Sequence, residues 1–196
     1  MTPFDCNENR LPPLILASQS PRRVELLRQI VPEFQVTPSY TTELEDASMG
    51  PRRLCEVNAQ RKAFSVAERF PDHVILGADT LVFLDGEALG KPADLTQARA
   101  MLSQLAGRVH EVITGVCLVH QTLAKAIVFS EVTRVRFRSL SPELIEDYVS
   151  QVNTLDKAGA YAIQDQGDRL VESVEGSFSN VVGLPVDAVR KALAHW

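Results

Sequence analysis

The sequence predicts a mixed α/β fold, on three observations. Strand-like apolar runs alternate along the chain with segments whose apolar residues recur at helical spacing. Two long strand candidates, 110–119 and 126–137, follow one another and would pair as neighbours in an antiparallel sheet. The 196 residues, 45% of them hydrophobic, suffice to bury a core as one domain or as two closely joined lobes.

The elements follow in order. Residues 1–13, "MTPFDCNENRLPP", read as a flexible polar tail, and 14–196 as a single domain. In "LILASQSPRRVELLRQI", residues 14–17 form a short buried strand, and Val24, Leu27 and Val31 then recur at helical spacing. Ser20 is the N-cap of that helix, and Pro21 takes the first helical position, where its missing N–H costs nothing. Residues 33–51 are polar, acidic and loop-rich, with Glu43, Glu45 and Asp46 close together. A helix over 54–70 has Leu54, Val57, Ala63, Phe64 and Ala67 on its apolar face.

"VILGADTLVFLDGEALGKP" reads as β-rich and broken twice. Gly77 and Asp79 interrupt the apolar run, and Asp85-Gly86 is a hairpin turn between 81–84 and 88–89. Asp94 caps a helix that buries Ala98, Met101, Leu102 and Leu105, and Gly107 ends it. The second long strand alternates Val128, Val132 and Val135 imperfectly with polar residues. Ser141-Pro142 starts a helix with Leu144, Ile145, Tyr148 and Val149 inward, and a glycine-rich irregular region, a strand at 170–174 and a helix after Pro185 complete the chain.

Composition excludes several function classes. A net charge of −5 argues against a general binder of nucleic-acid polymers, whose nonspecific affinity rests on many Lys and Arg contacts. Cys6, Cys55 and Cys117 are widely spaced and odd in number, which indicates neither a disulfide framework nor a zinc site and fits a reducing cytoplasm. No apolar run approaches the ~20 residues of a membrane span, and the first 13 residues lack signal-peptide order. Phosphate-binding and dinucleotide glycine loops, H-E-x-x-H and the G-x-S-x-G elbow are all absent, and His73, His110, His120 and His195 form no ligand pattern.

The turn between the first strand and helix aims backbone N–H groups and the positive helix end outward, with Ser18, Ser20, Arg22 and Arg23 around it. This is either a cradle for an anion such as phosphate or an ordinary capped helix with two solvated arginines. Asp79 is the one acid in the run 74–84, either a satisfied structural group or a site residue. Glu43, Lys62 and Lys91 read as site residues only if one cleft gathers them, and spacing does not decide that.

Taken together, "LILASQSPRRVELL", "ILGADTLV", "LGKP", "HEVITGV", "DKAGAYAIQ" and "GSFSNVVGLP" occur in the order found in the Maf (septum-formation protein-like) nucleoside triphosphate pyrophosphatases, which the chain resembles from Leu14 to its last helix. The resemblance implies an inosine-triphosphate-pyrophosphatase-type fold, with a long twisted mixed sheet and two lobes around a deep cleft. It implies cleavage between the α- and β-phosphates, with Mg²⁺ or Mn²⁺ as cofactor, and a homodimer. Ser18 and Arg23 match the triphosphate cradle, Lys62 and Lys91 the lysines that complete it, and Glu43 and Asp79 the acids that hold the metal. Asp79 also corresponds to the proton acceptor.

Arg22, Thr80 and Gln164 match the branch similar to dTTP/UTP pyrophosphatases, whereas the 7-methylguanosine triphosphate branch has Trp, Gln and Glu there. The Gln164 amide offers a donor and an acceptor to the C4=O and N3–H edge of thymine or uracil. A methyl in an apolar pocket discriminates by only ~1–3 kcal/mol, so modified pyrimidines and a house-cleaning role belong to the same expectation. "AIQDQGD" lacks the glycine that sometimes follows this glutamine. The alternatives are a pyrophosphatase for modified purine triphosphates and a nucleotide-binding regulator of cell division.

Overall fold

The computed structural model describes residues 12–196. Cys6 and all of the expected tail except Pro12 and Pro13 lie outside the described residues. Pro13 is already bound to the sheet, its carbonyl accepting from the Val74 N–H at 3.0 Å.

Seven strands form one mixed sheet in the order β2-β1-β3-β5-β6-β7, with β4 also on β3. β1 (Leu14–Leu16) lies parallel to β2 (Gln35–Val36) and to β3 (Val74–Leu84). β4 (Glu87–Leu89), β5 (Val109–His120), β6 (Lys125–Phe137) and β7 (Val171–Glu175) are joined antiparallel. The long neighbouring strands are those expected from sequence. The Asp85-Gly86 turn has both residues at positive φ, 52° and 87°, as a two-residue hairpin demands.

Two helix groups share one face of the sheet. α1 (Pro21–Arg28), α5 (Phe178–Val182) and α6 (Val186–Ala194) pack over one end of β3 and β5, burying Leu27, Leu76, Leu118, Leu184 and Val189. α3 (Leu95–Leu105) and α4 (Pro142–Gln151) cover the other end around Val82, Val112, Phe137 and Tyr148. Between these lobes the sheet face is open. α2 (Pro51–Ala67) crosses the opposite face alone, over Ile15, Ile75 and Cys117. The caps are those the sequence indicates: Ser20, Asp94 and Ser141 accept from the N–H groups of Arg23, Gln97 and Leu144.

Three expectations are corrected. β3 runs unbroken through Gly77 and Asp79, because Gly77 is where α2 lies against the sheet: a Cβ there would stand 2.4 Å from the Ala59 carbonyl oxygen and 2.8 Å from the Ala63 nitrogen. Gly115, opposite Asp79 in the ladder, has the same role, its Cβ position lying 2.3 Å from the Cys55 carbonyl. α2, expected over 54–70, starts at Pro51 and ends at Ala67. It buries Leu54, Ala63 and Ala67 as expected, together with Cys55, Asn58, Ala59 and Val66, while Phe64 is 43% exposed and Val57 half-buried, because small residues face the sheet where the glycines let the helix approach. Lastly, α5 occupies part of the glycine-rich region taken as irregular, capped by Ser177 and held by buried Asn180, whose amide donates to Val112 O at 3.0 Å and Thr133 Oγ1 at 3.0 Å.

Candidate active site

β1 pairs with β3 only over 74–76 and β4 only over 82–84. Residues 77–81 therefore have β5 as their one sheet neighbour among the described residues, and both faces of β3 reach the cleft through that gap. Consecutive strand side chains point to opposite faces. Asp79 accordingly faces α2, and Thr80 faces α1 and α5.

On the α2 face a chain of charges closes around one ammonium. Lys62 Nζ lies 2.6 Å from Asp79 Oδ1 and 2.5 Å from Glu43 Oε1. Asn58 Nδ2 donates to Asp79 Oδ2 at 3.2 Å and to Leu44 O at 3.1 Å, while its Oδ1 accepts from the Leu44 N–H at 2.8 Å. Asn58 thus fastens the acidic loop beside Glu43, and sequence reasoning missed it because its partner lies in an irregular segment. Of the three loop acids Glu43 pairs with Lys62, whereas Asp46 accepts from the backbone and hydroxyl of Ser48. Burial opposes the Glu43 charge, but the charge and hydrogen bond of Lys62, with Lys91 and Arg23 beyond, hold its pKa below the ordinary value.

On the other face Arg23 spans three elements. Its Nε donates to Gly183 O at 2.9 Å, its Nη2 to Thr80 Oγ1 at 3.0 Å and its Nη1 to Ser18 Oγ at 3.5 Å. Gly183 ends α5 at φ 132°, which favours glycine, and Thr80 is backed by Thr114 at 2.9 Å. Burial lowers the Arg23 pKa, against the pull of Asp79 and Glu43, yet a guanidinium remains charged. The β1–α1 turn therefore presents its serines and arginine to the cavity in a fixed pose.

Lys91 is exposed at the rim and forms no ion pair with any described residue, and Arg22 reaches Asp156 at 3.5 Å. Gln164 is exposed on the loop after α4, and its amide has no hydrogen-bond partner among the described residues. All nine residues singled out from sequence, Ser18, Arg22, Arg23, Glu43, Lys62, Asp79, Thr80, Lys91 and Gln164, line one cavity of about 900 Å³. Cys55 and Cys117 stay outside this chemistry, their thiols pushed up to about 12 by burial.

The donor set limits what metal could be held. No cluster of three or more His, Cys, Asp or Glu occurs among the described residues, so there is no all-protein cage. Glu43 and Asp79, both within 2.6 Å of one ammonium, suit an ion that takes one or two carboxylates and completes its shell with water and substrate phosphates, as Mg²⁺ does.

Comparison with known proteins gives the family and the fold. The family model described as Maf-like protein matches residues 13–196. A dTTP/UTP pyrophosphatase of Symbiobacterium thermophilum is 49% identical over 183 residues, covering 93% of this chain and 93% of its own. One of Akkermansia muciniphila is 46% identical, covering 93% and 96%. Among solved structures, the Staphylococcus aureus Ham1 protein superposes with a TM-score of 0.54 at 15% identity, over 93% of this chain and 98% of that one. A HAM1 protein from Coxiella burnetii gives the same TM-score at 11% identity. These two likenesses show the fold alone, a mixed sheet with helices, as the sequence resemblance implied.

Proposed function

The chain belongs to the Maf-like family, and on that premise we propose that it is a pyrophosphatase that takes dTTP and UTP to the monophosphate and pyrophosphate. The observation that carries the reading is the convergence of all nine residues on one cavity, with Lys62 between Glu43 and Asp79. Ser18, Arg23, Lys62 and Lys91 receive the triphosphate, and Arg22, Thr80 and Gln164 select the base. Modified pyrimidine triphosphates fall within the same reading.

Asp79 is the proton acceptor. Lys62 holds Oδ1 and Asn58 holds Oδ2, so the carboxylate is aimed but engaged. Triphosphate oxygens compete for the Lys62 ammonium, and drawing it toward them frees Oδ1 to take a proton from water. Glu43 and Asp79 would hold a divalent cation, Mg²⁺ or Mn²⁺, which when bound neutralises phosphate charge. Arg23, locked to Gly183 and Thr80, supplies fixed positive charge that needs no rearrangement during reaction. The reading extends to a homodimer acting in the cytoplasm, supported by the family resemblance, and light scattering tests the dimer. No described helix is long and apolar enough to cross a membrane.

The test is hydrolysis of a nucleoside triphosphate panel with Mg²⁺ or Mn²⁺, resolving monophosphate plus pyrophosphate from diphosphate plus phosphate. The expected result is pyrophosphate release strongest with dTTP and UTP. Diphosphate as product, or purine triphosphates as the best substrates, would overturn it.

A further inference from the structure

Lys157 is the only lysine among the described residues that is buried, at 7% exposure. Long cationic side chains are almost never buried unless paired. Its partners are not those of the phosphate groove. Nζ donates to the Asn153 carbonyl and to Asp156 Oδ1 at 2.8 Å, and lies 3.8 Å from Asp165 Oδ2. Asn153 and Asp156 belong to the outgoing limb of the loop after α4, while Asp165 belongs to the returning limb, next to Gln164. The ammonium therefore ties the two limbs together.

Two further contacts give that tie a direction. Asp156 uses its other oxygen, Oδ2, to hold Arg22 at 3.5 Å, so one carboxylate connects Lys157 to α1. The Tyr148 hydroxyl accepts from the Ala162 N–H at 3.1 Å and donates to Asp165 O at 3.2 Å, fixing the backbone on both sides of Gln164. Gln164 itself has no such bond, so its place in the cavity is set by its neighbours.

We propose that Lys157 is a positioning residue which, through Asp156 and Asp165, sets Arg22 and Gln164 as one base-reading edge. This rests on the pyrophosphatase reading and adds to it the device that holds the selective side of the site. A base-reading edge affects substrates through the base, whereas a phosphate ligand affects them through the triphosphate. Inorganic tripolyphosphate, which has no base, separates the two.

The experiment measures steady-state hydrolysis of dTTP and dGTP, and inhibition by tripolyphosphate, for wild type, Lys157→Met and Asp165→Asn. In Lys157→Met the KM for dTTP rises about tenfold with kcat within about twofold, and the dTTP-over-dGTP ratio of kcat/KM falls by a similar factor. The inhibition constant of tripolyphosphate stays put. Asp165→Asn, whose carboxylate is half-exposed, shifts the same quantities by about threefold and decides the matter if the lysine variant does not fold. An unchanged KM and ratio in these variants overturn the proposal, as does a tripolyphosphate constant that weakens in step with KM. Wild-type protein that hydrolyses neither dTTP nor UTP overturns the pyrophosphatase reading as well, whereas an active wild type with indifferent variants overturns only the positioning role.

Discussion

The two walls of the cavity are built on opposite principles. On the phosphate side Lys62, Asp79, Asn58 and Glu43 form one connected cluster and Arg23 is held separately by Gly183, Thr80 and Ser18, and all of the five but Glu43 stand on a helix or strand. On the base side Gln164 sits exposed on a loop with no intramolecular partner among the described residues. A charge such as that of Arg23, held by its own partners before substrate arrives, needs no reorganisation in the transition state, and rigid elements hold such groups more closely than loops do. A loop-borne amide held only through its neighbours tolerates variation in what it reads. The contrast on the proposed roles is thus between the fixed charges and the one amide of Gln164, since Thr80 and Arg22 also stand on regular elements with partners of their own.

The largest effect that would break this contrast is expected at Asp79. Asp79→Asn keeps the size of the side chain but removes the proton acceptor, while Lys62 retains Glu43. The expected loss in kcat is about 10²–10⁴-fold, with KM for dTTP changed by no more than a few fold. Normal hydrolysis by this variant would show that the interlocked charges are a structural ion pair and that the base lies elsewhere.

Gly115→Ala comes next and tests why the phosphate side is rigid. Its Cβ would fall 2.3 Å from the Cys55 carbonyl, so α2, with Asn58 and Lys62, must move off the sheet. Backbone gives less readily than a side chain, and a destabilisation of about 3 kcal/mol is expected in urea unfolding. A stability within about 0.5 kcal/mol of wild type would mean that α2 does not need this close approach.

The same glycines show what could be read from sequence. Caps, the hairpin and the long strands were legible because each is encoded locally, by Ser20, Asp94, Ser141 and Asp85-Gly86. Gly77 read as a break because a missing side chain looks alike whether it weakens a strand or admits a helix. The expected face of α2 was right at Leu54, Ala63 and Ala67 and wrong at Phe64 and Val57, because Phe64 outweighs alanines in an apolar pattern while small residues are what fit opposite Gly77 and Gly115. Of the nine candidate residues, seven stand inside the ordered motifs, whereas Glu43 and Lys62 were matched outside them. Asn58 was missed because its partners Leu44 and Asp79 meet it only in the fold, and Lys157, though inside "DKAGAYAIQ", was not singled out because its tie to Asp165 closes only when the loop folds back.

A third measurement places acid sensitivity on the base side. His110 is 1% exposed, with Nε2 bonded to the Tyr161 hydroxyl at 2.8 Å, and Tyr161 lines the cavity near the Gln164 loop. Burial lowers the His110 pKa from 6.5 to about 4. Below its ordinary pKa the unfolded chain takes up a proton that the folded chain refuses, so stability present above pH 6.5 is lost as the pH falls toward 4. Between pH 6.5 and about 5, before most carboxylates titrate, the expected loss is about 2 kcal/mol. Chemical denaturation at both pH values checks it, and a flat profile would remove His110 as the acid-sensitive group.

The smallest effect is the one that most sharpens the contrast. Gln164→Ala removes an exposed amide that has no hydrogen-bond partner among the described residues, so stability should hold within about 0.5 kcal/mol while kcat/KM for dTTP falls about tenfold. Tripolyphosphate inhibition should not move. CTP is the informative companion: cytosine presents the reverse donor and acceptor pair, and an unpartnered amide meets it by turning over. If wild type nonetheless rejects CTP, the orientation of the amide is set once a nucleotide is bound, and its freedom to turn over is a property of the free protein alone. If CTP is accepted and Gln164→Ala weakens it equally, the amide reads only the presence of a pyrimidine edge, and the choice between the bases rests on Arg22 and Thr80.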